Sequence, residues 1–228
     1  MQSFRPTGFG VLPLVIKNLL IINGLFFLAT LAFPRFNLID MLGLHYFGSQ
    51  KFMVYQVVSH LFMHASFQHL FFNMLNLWMF GSVLEDIWGS KRFLNFYLVA
   101  GIGASLVHYL FVYWLDLRPL MEQIYSQTTD IAARQYQIDA LLNMPNIVGA
   151  SGAIAGIVAA YAYLFPDTEL YFYFLIPVKV KYYVMVYIGF EIYAAYQNNP
   201  FDNVAHFAHL GGALFGFLVA KFVFGRMR

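Results

Sequence analysis

The chain has 228 residues, 61% of them apolar and 11% charged, with 13 Lys and Arg against 11 Asp and Glu. Soluble domains carry about 25% charged residues, and one with a mean hydropathy of +0.64 would aggregate through exposed apolar patches, so composition predicts a polytopic membrane protein. The scattered basic residues and net charge of +2 exclude nucleic acid as a partner, and the absence of cysteine excludes disulfides, thiolate metal sites and cysteine nucleophiles.

Six apolar segments follow one another: 11–33, 59–82, 93–115, 147–165, 177–197 and 203–224. Each approaches the roughly 20 residues that cross about 30 Å of hydrocarbon, the fourth being short. The expected fold is an all-α membrane protein, a bundle of six transmembrane helices forming one domain over 1–228. Lys179, Lys181 and Glu191 interrupt the fifth segment, and the aromatic run Tyr171, Phe172, Tyr173, Phe174 before it reads as an interfacial belt. In the long loop 116–145, Ile124, Ile131 and Ile138 recur every seven residues and, with Leu120, Leu141 and Leu142, predict an amphipathic helix. The start of the chain lacks a basic stretch followed by a cleavage site, and lacks an Arg- and Ser-rich transit segment, so insertion into a cell (inner) membrane is expected.

With a cytoplasmic N-terminus, the inside holds Arg5, Lys17, Lys91, Arg92, Lys179, Lys181, Lys221, Arg226 and Arg228. The outside holds Arg35, Lys51, Arg118 and Arg134. This asymmetry satisfies the positive-inside rule with both termini cytoplasmic.

Polar side chains inside a bilayer are costly, so each marks a candidate site. The second segment carries His60, His64, His69 and Asn73; the fourth opens Gly149-Ala150-Ser151-Gly152; the sixth holds His206, Ala208, His209, Gly212 and Gly216. All three run from outside to inside. Counted from the outer boundary at 1.5 Å per residue, Ser151, His209 and His69 lie about 7, 10 and 13 Å deep. One outer layer thus collects a hydroxyl and two imidazoles. Gly152 and Gly156, and Ala208, Gly212 and Gly216, form small-residue stripes that let the fourth and sixth helices approach closely. A packing motif, with Ser151 bonded to its own helix, is the alternative for these residues.

Gly149-Ala150-Ser151-Gly152, together with Ala208-His209 and Gly212 and Gly216, resembles the rhomboid intramembrane serine proteases. His60, His64, His69 and Asn73 match that family's histidine-rich second span, and Glu85 follows Gly81 as in its members. The resemblance covers essentially the whole chain. It implies a rhomboid-like bundle in which Ser151 is the nucleophile and His209 its base, a dyad without a carboxylate. It further implies an oxyanion hole of His69, Asn73 and the Ser151 N–H, with Gly149 keeping that pocket open. No cofactor or metal is implied; the partners are transmembrane protein substrates and the lipid bilayer.

Two positions depart from the family pattern. Tyr55-Gln56 stands where members often have Trp-Arg, which weakens the anchoring expected of the first external loop. Ala155 stands where many have an aromatic stacked on the catalytic imidazole, so either another group orients His209 or it is held less rigidly.

Chemically, serine needs a base to become a nucleophile, and the tetrahedral intermediate needs donors, each worth about 10²–10³ in rate. On a straight helix His60 and His64 lie about 180° and 140° from His69 and share no pocket with it. They bond the first loop's backbone or, alternatively, chelate zinc. His108 reads as a satisfied structural histidine, and His206, one turn outward of His209, as packed or solvent-exposed, with tuning of the site as the alternative. Glu191 lies about 10 Å deep and is a candidate third triad member, set against the dyad that the resemblance implies. Glu85 and Asp86 sit at the cytoplasmic end, in hydrogen bonds of the second loop. Substrates are expected to enter sideways through a gate formed by the fifth span and the loop 198–203, and to be cut at helix-breaking sites near the outer face. The competing classes are a six-span transporter or channel, and a non-catalytic binder of membrane proteins using the same lateral cleft.

Overall fold

The computed structural model describes residues 12–144, 146–172, 176–197 and 204–224. The predicted loop 198–203 lies outside them, as do Tyr173 and Phe174 of the aromatic belt.

The chain opens with α1 (Leu14–Ala32), a lipid-type helix whose Leu25, Leu28 and Leu31 are all exposed. The first loop holds a 3-10 turn (Pro34–Phe36), α2 (Leu38–Leu42), β1 (Leu44–His45), α3 (Gln56–Ser59) and a second 3-10 turn (His60–Phe62). Next come α4 (Phe67–Asn76), a π-turn (Leu77–Gly81) and α5 (Ser82–Trp88), a continuous helical rod about 33 Å long. The rod in the second apolar segment, 59–82, therefore begins at Phe67. Ser66 starts it, its hydroxyl accepting the His69 N–H at 3.1 Å in an N-cap. The straight-helix phase predicted for His60 and His64 fails for the same reason: residues 63–66 are not helical.

The third span is α6 (Ser90–Val112), prolonged through a π-turn (Tyr113–Leu117) into α7 (Arg118–Gln127). The predicted loop helix is thus two pieces, α7 and α8 (Ile131–Asn143), split where the Asp130 carboxylate caps the Ala133 N–H at 2.8 Å. Of the seven-spaced isoleucines, Ile138 is buried and Ile131 exposed. Asn143 of α8 accepts from the Ser49 hydroxyl at 2.6 Å and the Gln50 N–H at 3.1 Å, clamping this element to the first loop.

After β2 (Asn146–Ile147), antiparallel to β1, the fourth span is α9 (Ser151–Leu164). Its surface is apolar all round and it is buried from Gly152 to Ala162, as a central helix must be. The hairpin β3 (Glu169–Phe172) and β4 (Ile176–Lys179) follows. α10 (Val180–Gln197) lies within the fifth apolar segment. Pro177 cannot donate to a helix, and Lys179 and Lys181 both turn back to Asp167, at 3.2 and 2.8 Å. The last span is α11 (His206–Val219) with a terminal π-turn (Ala220–Phe224).

Among the described residues, three helices are long and apolar enough to cross a membrane by themselves: Leu14–Ala32, Ser90–Gln127 and His206–Phe224. α9, with 14 residues, is about 21 Å long. On α5, the Glu85 carboxylate accepts the Val15 and Ile16 N–H groups at 2.9 and 2.8 Å and the Ser90 hydroxyl at 2.6 Å. It thereby caps α1 rather than serving only its own loop.

Candidate active site

α9 and α11 cross with almost no side chain between them. A Cβ at Gly212 would collide with the Gly152 carbonyl, and one at Gly216 with the Gly156 backbone; one at Gly156 would sit 2.9 Å from the Gly212 oxygen. α6 closes the third side, with Ala100 and Ala104 against Gly156 and Gly152. The small-residue stripes therefore do what their spacing predicts, and they hold Ser151 and His209 on two backbones in contact.

Ser151 is the first residue of α9, and no side chain caps that helix end. No turn of helix precedes it, whereas the sequence count from Asn146 assumed helical rise. Gly149 before it has φ +119°, a backbone state that side chains disfavour. A Cβ there would lie 2.7 Å from His69 Nε2 and 3.7 Å from Ser151 Oγ. The hydroxyl and the His69 imidazole thus meet across one glycine. Its N–H donates to the His60 carbonyl at 2.8 Å, fixing the loop.

Asn73 lies one turn beyond His69 on α4, is buried, and has an amide Nδ2 without a hydrogen-bond partner among the described residues. Buried donors are rarely left unmade. A donor so placed is ready for an oxygen that arrives with a ligand. A cavity of about 20 Å³, touched by His60, Gly149, Ser151, Gly152, Ala205 and Ala208, is large enough for one water.

His209 sits in the first turn of α11, within electrostatic range of His69 and His108. Its Nδ1 is 2.9 Å from Glu191 Oε1, and His206 Nδ1 is 2.6 Å from the other oxygen of the same carboxylate. His209 does face a carboxylate, unlike the dyad that the resemblance implies, and His206 is packed against the same carboxylate and not solvent-exposed. The orienting aromatic absent at Ala155 is replaced in space by Tyr187 of α10, which packs beside Ala155, Ala159 and Ala213. Its ring centroid lies 6.4 Å from that of His209.

His60 and His64 part company. His60 Nδ1 donates to the Gln56 carbonyl at 2.8 Å, the structural role predicted for it. His64 has both ring nitrogens buried without a partner, and its ring meets His69 edge-on at 4.9 Å. Burial pushes both down to about 4, so both are neutral at physiological pH. His108, expected to be satisfied, has one ring nitrogen, Nδ1, buried without a partner among the described residues. Among the described residues, the donor set close enough to hold a cation is Glu191, His206 and His209, and it includes neither His60 nor His64.

Gln56 answers the other departure from the family pattern. Fully buried, its Nε2 donates to the Met41 and Lys51 carbonyls, both at 3.1 Å. Its Oε1 accepts the Met53 N–H at 3.1 Å and the His45 N–H at 3.4 Å. A neutral amide ties the loop together where a guanidinium was missing. No local sequence signal marks this, because glutamine in an external loop is ordinarily exposed.

The rhomboid domain model matches residues 51–226. The chain is 28% identical over 183 residues to Rhomboid protein 1, mitochondrial, of Saccharomyces cerevisiae, covering 76% of this chain and 46% of that protein. It is 26% identical over 166 residues to Rhomboid protease GluP of Bacillus subtilis, covering 73% and 25%. Against Rhomboid protease AarA of Providencia stuartii it is 30% identical over 165 residues, covering 69% and 52%. The chain spans about half or less of the length of these relatives. With a family match over most of its length and a fold of apolar helices around the Gly152–Gly212 crossing, this chain is an all-α, multi-pass membrane protein that belongs to the rhomboid family.

Proposed function

We propose that this chain is an intramembrane serine endopeptidase that cuts transmembrane segments of other membrane proteins near the outer face of the bilayer, through Ser151 and His209. The carrying observation is the meeting of the Ser151 hydroxyl with His69 across Gly149, beside an Asn73 amide that has no partner.

His209 Nδ1 faces Glu191, which leaves Nε2 to take the Ser151 proton as Oγ attacks the scissile carbonyl. The oxyanion forms against His69, Asn73 and the Ser151 N–H at the uncapped start of α9, where the helix dipole adds to the donors. Imidazolium then returns its proton to the leaving amine. A water, deprotonated by the same nitrogen, releases the acyl group. Gly152, Gly212 and Gly216 hold the nucleophile and base in register, while His60 and Gly149 fix the loop between them.

The six-span count places α4 with α5, α9 and α10 across the bilayer beside the three longer apolar helices. Nine of 13 basic residues place both termini on the cytoplasmic side of a cell membrane. The likeness to the mitochondrial yeast protein favours an organelle membrane as the second reading, which fractionation of tagged protein separates.

The test is cleavage of a panel of single-span substrates by the purified protein, with fragments read by mass spectrometry and the serine labelled by a fluorophosphonate. Ser151→Ala and His209→Ala should each abolish cleavage while the protein stays folded in detergent. Near-normal turnover in either variant overturns the assignment. Labelling also discriminates against the transporter and inert-binder readings, since neither activates a serine.

A further inference from the structure

We infer that Glu191 is a positioning residue for the base, making the reaction centre a Ser151–His209–Glu191 relay braced by His206. The inference rests on the proposed protease activity and adds to it a carboxylate that the dyad lacks.

A carboxylate within an apolar span is retained only when donors surround it. Glu191 is 4% exposed, and each of its oxygens faces one imidazole Nδ1, at 2.9 Å for His209 and 2.6 Å for His206. The Tyr187 hydroxyl faces the same carboxylate. Bonds of this length from Nδ1–H hold the ring proton of a neutral histidine on Nδ1. Nε2 of His209 is then an acceptor, the state in which it can take the serine proton. Without the carboxylate, the tautomer with the proton on Nε2 competes, and that form cannot act as base.

The charge balance runs the same way. One carboxylate and two neutral imidazoles carry a net charge of −1 in the resting site. When His209 takes the Ser151 proton, the cluster becomes neutral. The interaction is therefore stronger in the transition state than in the ground state, which is the condition for raising kcat. His206 holds the second oxygen and stops the carboxylate from rotating away. α10 supplies both Glu191 and Tyr187, and so compensates for Ala155 from a different helix.

Glu191→Gln keeps the size and removes the charge and the strict acceptor. Its kcat should fall about 10²–10⁴-fold with KM unchanged, the range seen when a base loses its orienting carboxylate. Glu191→Asp should recover at least tenfold of that loss, and fluorophosphonate labelling of Ser151 should follow the same order. His206→Phe, leaving the Glu191–His209 contact in place, should lower kcat about 3–10-fold, a smaller loss than Glu191→Gln. Parental kcat in Glu191→Gln overturns the inference, as does a loss that follows a fall in melting temperature and is not recovered by Glu191→Asp. Stoichiometric zinc in the purified protein, with activity lost on chelation and restored by zinc, also overturns it, because the carboxylate would then be a metal ligand. If instead Ser151→Ala still cleaves, the protease reading itself fails, and the two failures are distinct.

Discussion

Asn73→Ala separates transition-state stabilisation from packing, because the two readings predict opposite signs for stability. In the structure the amide Nδ2 is buried and makes no hydrogen bond, so truncation breaks none there. An unmade buried donor costs about 1–3 kcal/mol. Removing it recovers that amount, less about 1 kcal/mol for the packing of a small truncated group. The variant should therefore be as stable as the parent or up to about 2 kcal/mol more stable. Turnover should fall about 10²–10³-fold, the effect of one lost oxyanion donor, and kcat and kcat/KM should fall together. Initial rates on a single-span substrate in detergent, alongside a thermal melt, measure both. Asn73→Asp is a useful companion, since an ionised carboxylate accepts only and repels the oxyanion. Unchanged kcat in Asn73→Ala refutes the donor role; so does a loss of activity that parallels a falling melting temperature.

Gly212→Ala forces α9 and α11 apart and should destabilise by about 1–3 kcal/mol, the cost of overpacking. Because displacements of about 1 Å at reacting groups cost roughly 10² in rate, its kcat should drop at least that far, whereas Gly24→Ala, whose Cβ meets nothing within 4 Å, should be silent in melt and assay alike. Gln56→Ala strips the partners from backbone groups of the first loop and should lower stability by about 2–4 kcal/mol, read as a lower melting temperature with Ser151 still able to react with a small probe.

The helices and the serine, imidazole and glycine positions were legible because each rests on composition or on spacing within one element. The start of the second span was not. Leu61, Phe62 and Met63 are as apolar as a span, yet Leu61 and Met63 are buried against protein instead of facing lipid, and hydropathy cannot tell these apart. His64 consequently landed on the wrong side of His69. The Glu191 clamp was half legible. A carboxylate at the depth of two imidazoles was visible, but which nitrogen faced which oxygen depends on how α10 and α11 pack. Ala155 and Tyr187 show the same limit, since a ring lost from one helix and supplied by another leaves no trace in a local motif.

α10 is fastened at both ends. At its start the Val180 N–H donates to the Thr168 carbonyl at 2.8 Å and the Lys181 N–H to the Pro166 carbonyl at 3.2 Å; toward the other end Glu191 grips His209 and His206. Between these, Met185, Val186 and Phe190 face outward, and Gly189 has open space where a side chain would be. On the proposed protease reading, a helix held this way is a latch. If the Glu191 end swings out to admit a substrate helix, the 2.9 Å contact that sets the His209 tautomer opens with it. Entry and bond cleavage then alternate in time, and lipid that enters an open site meets a base that is switched off.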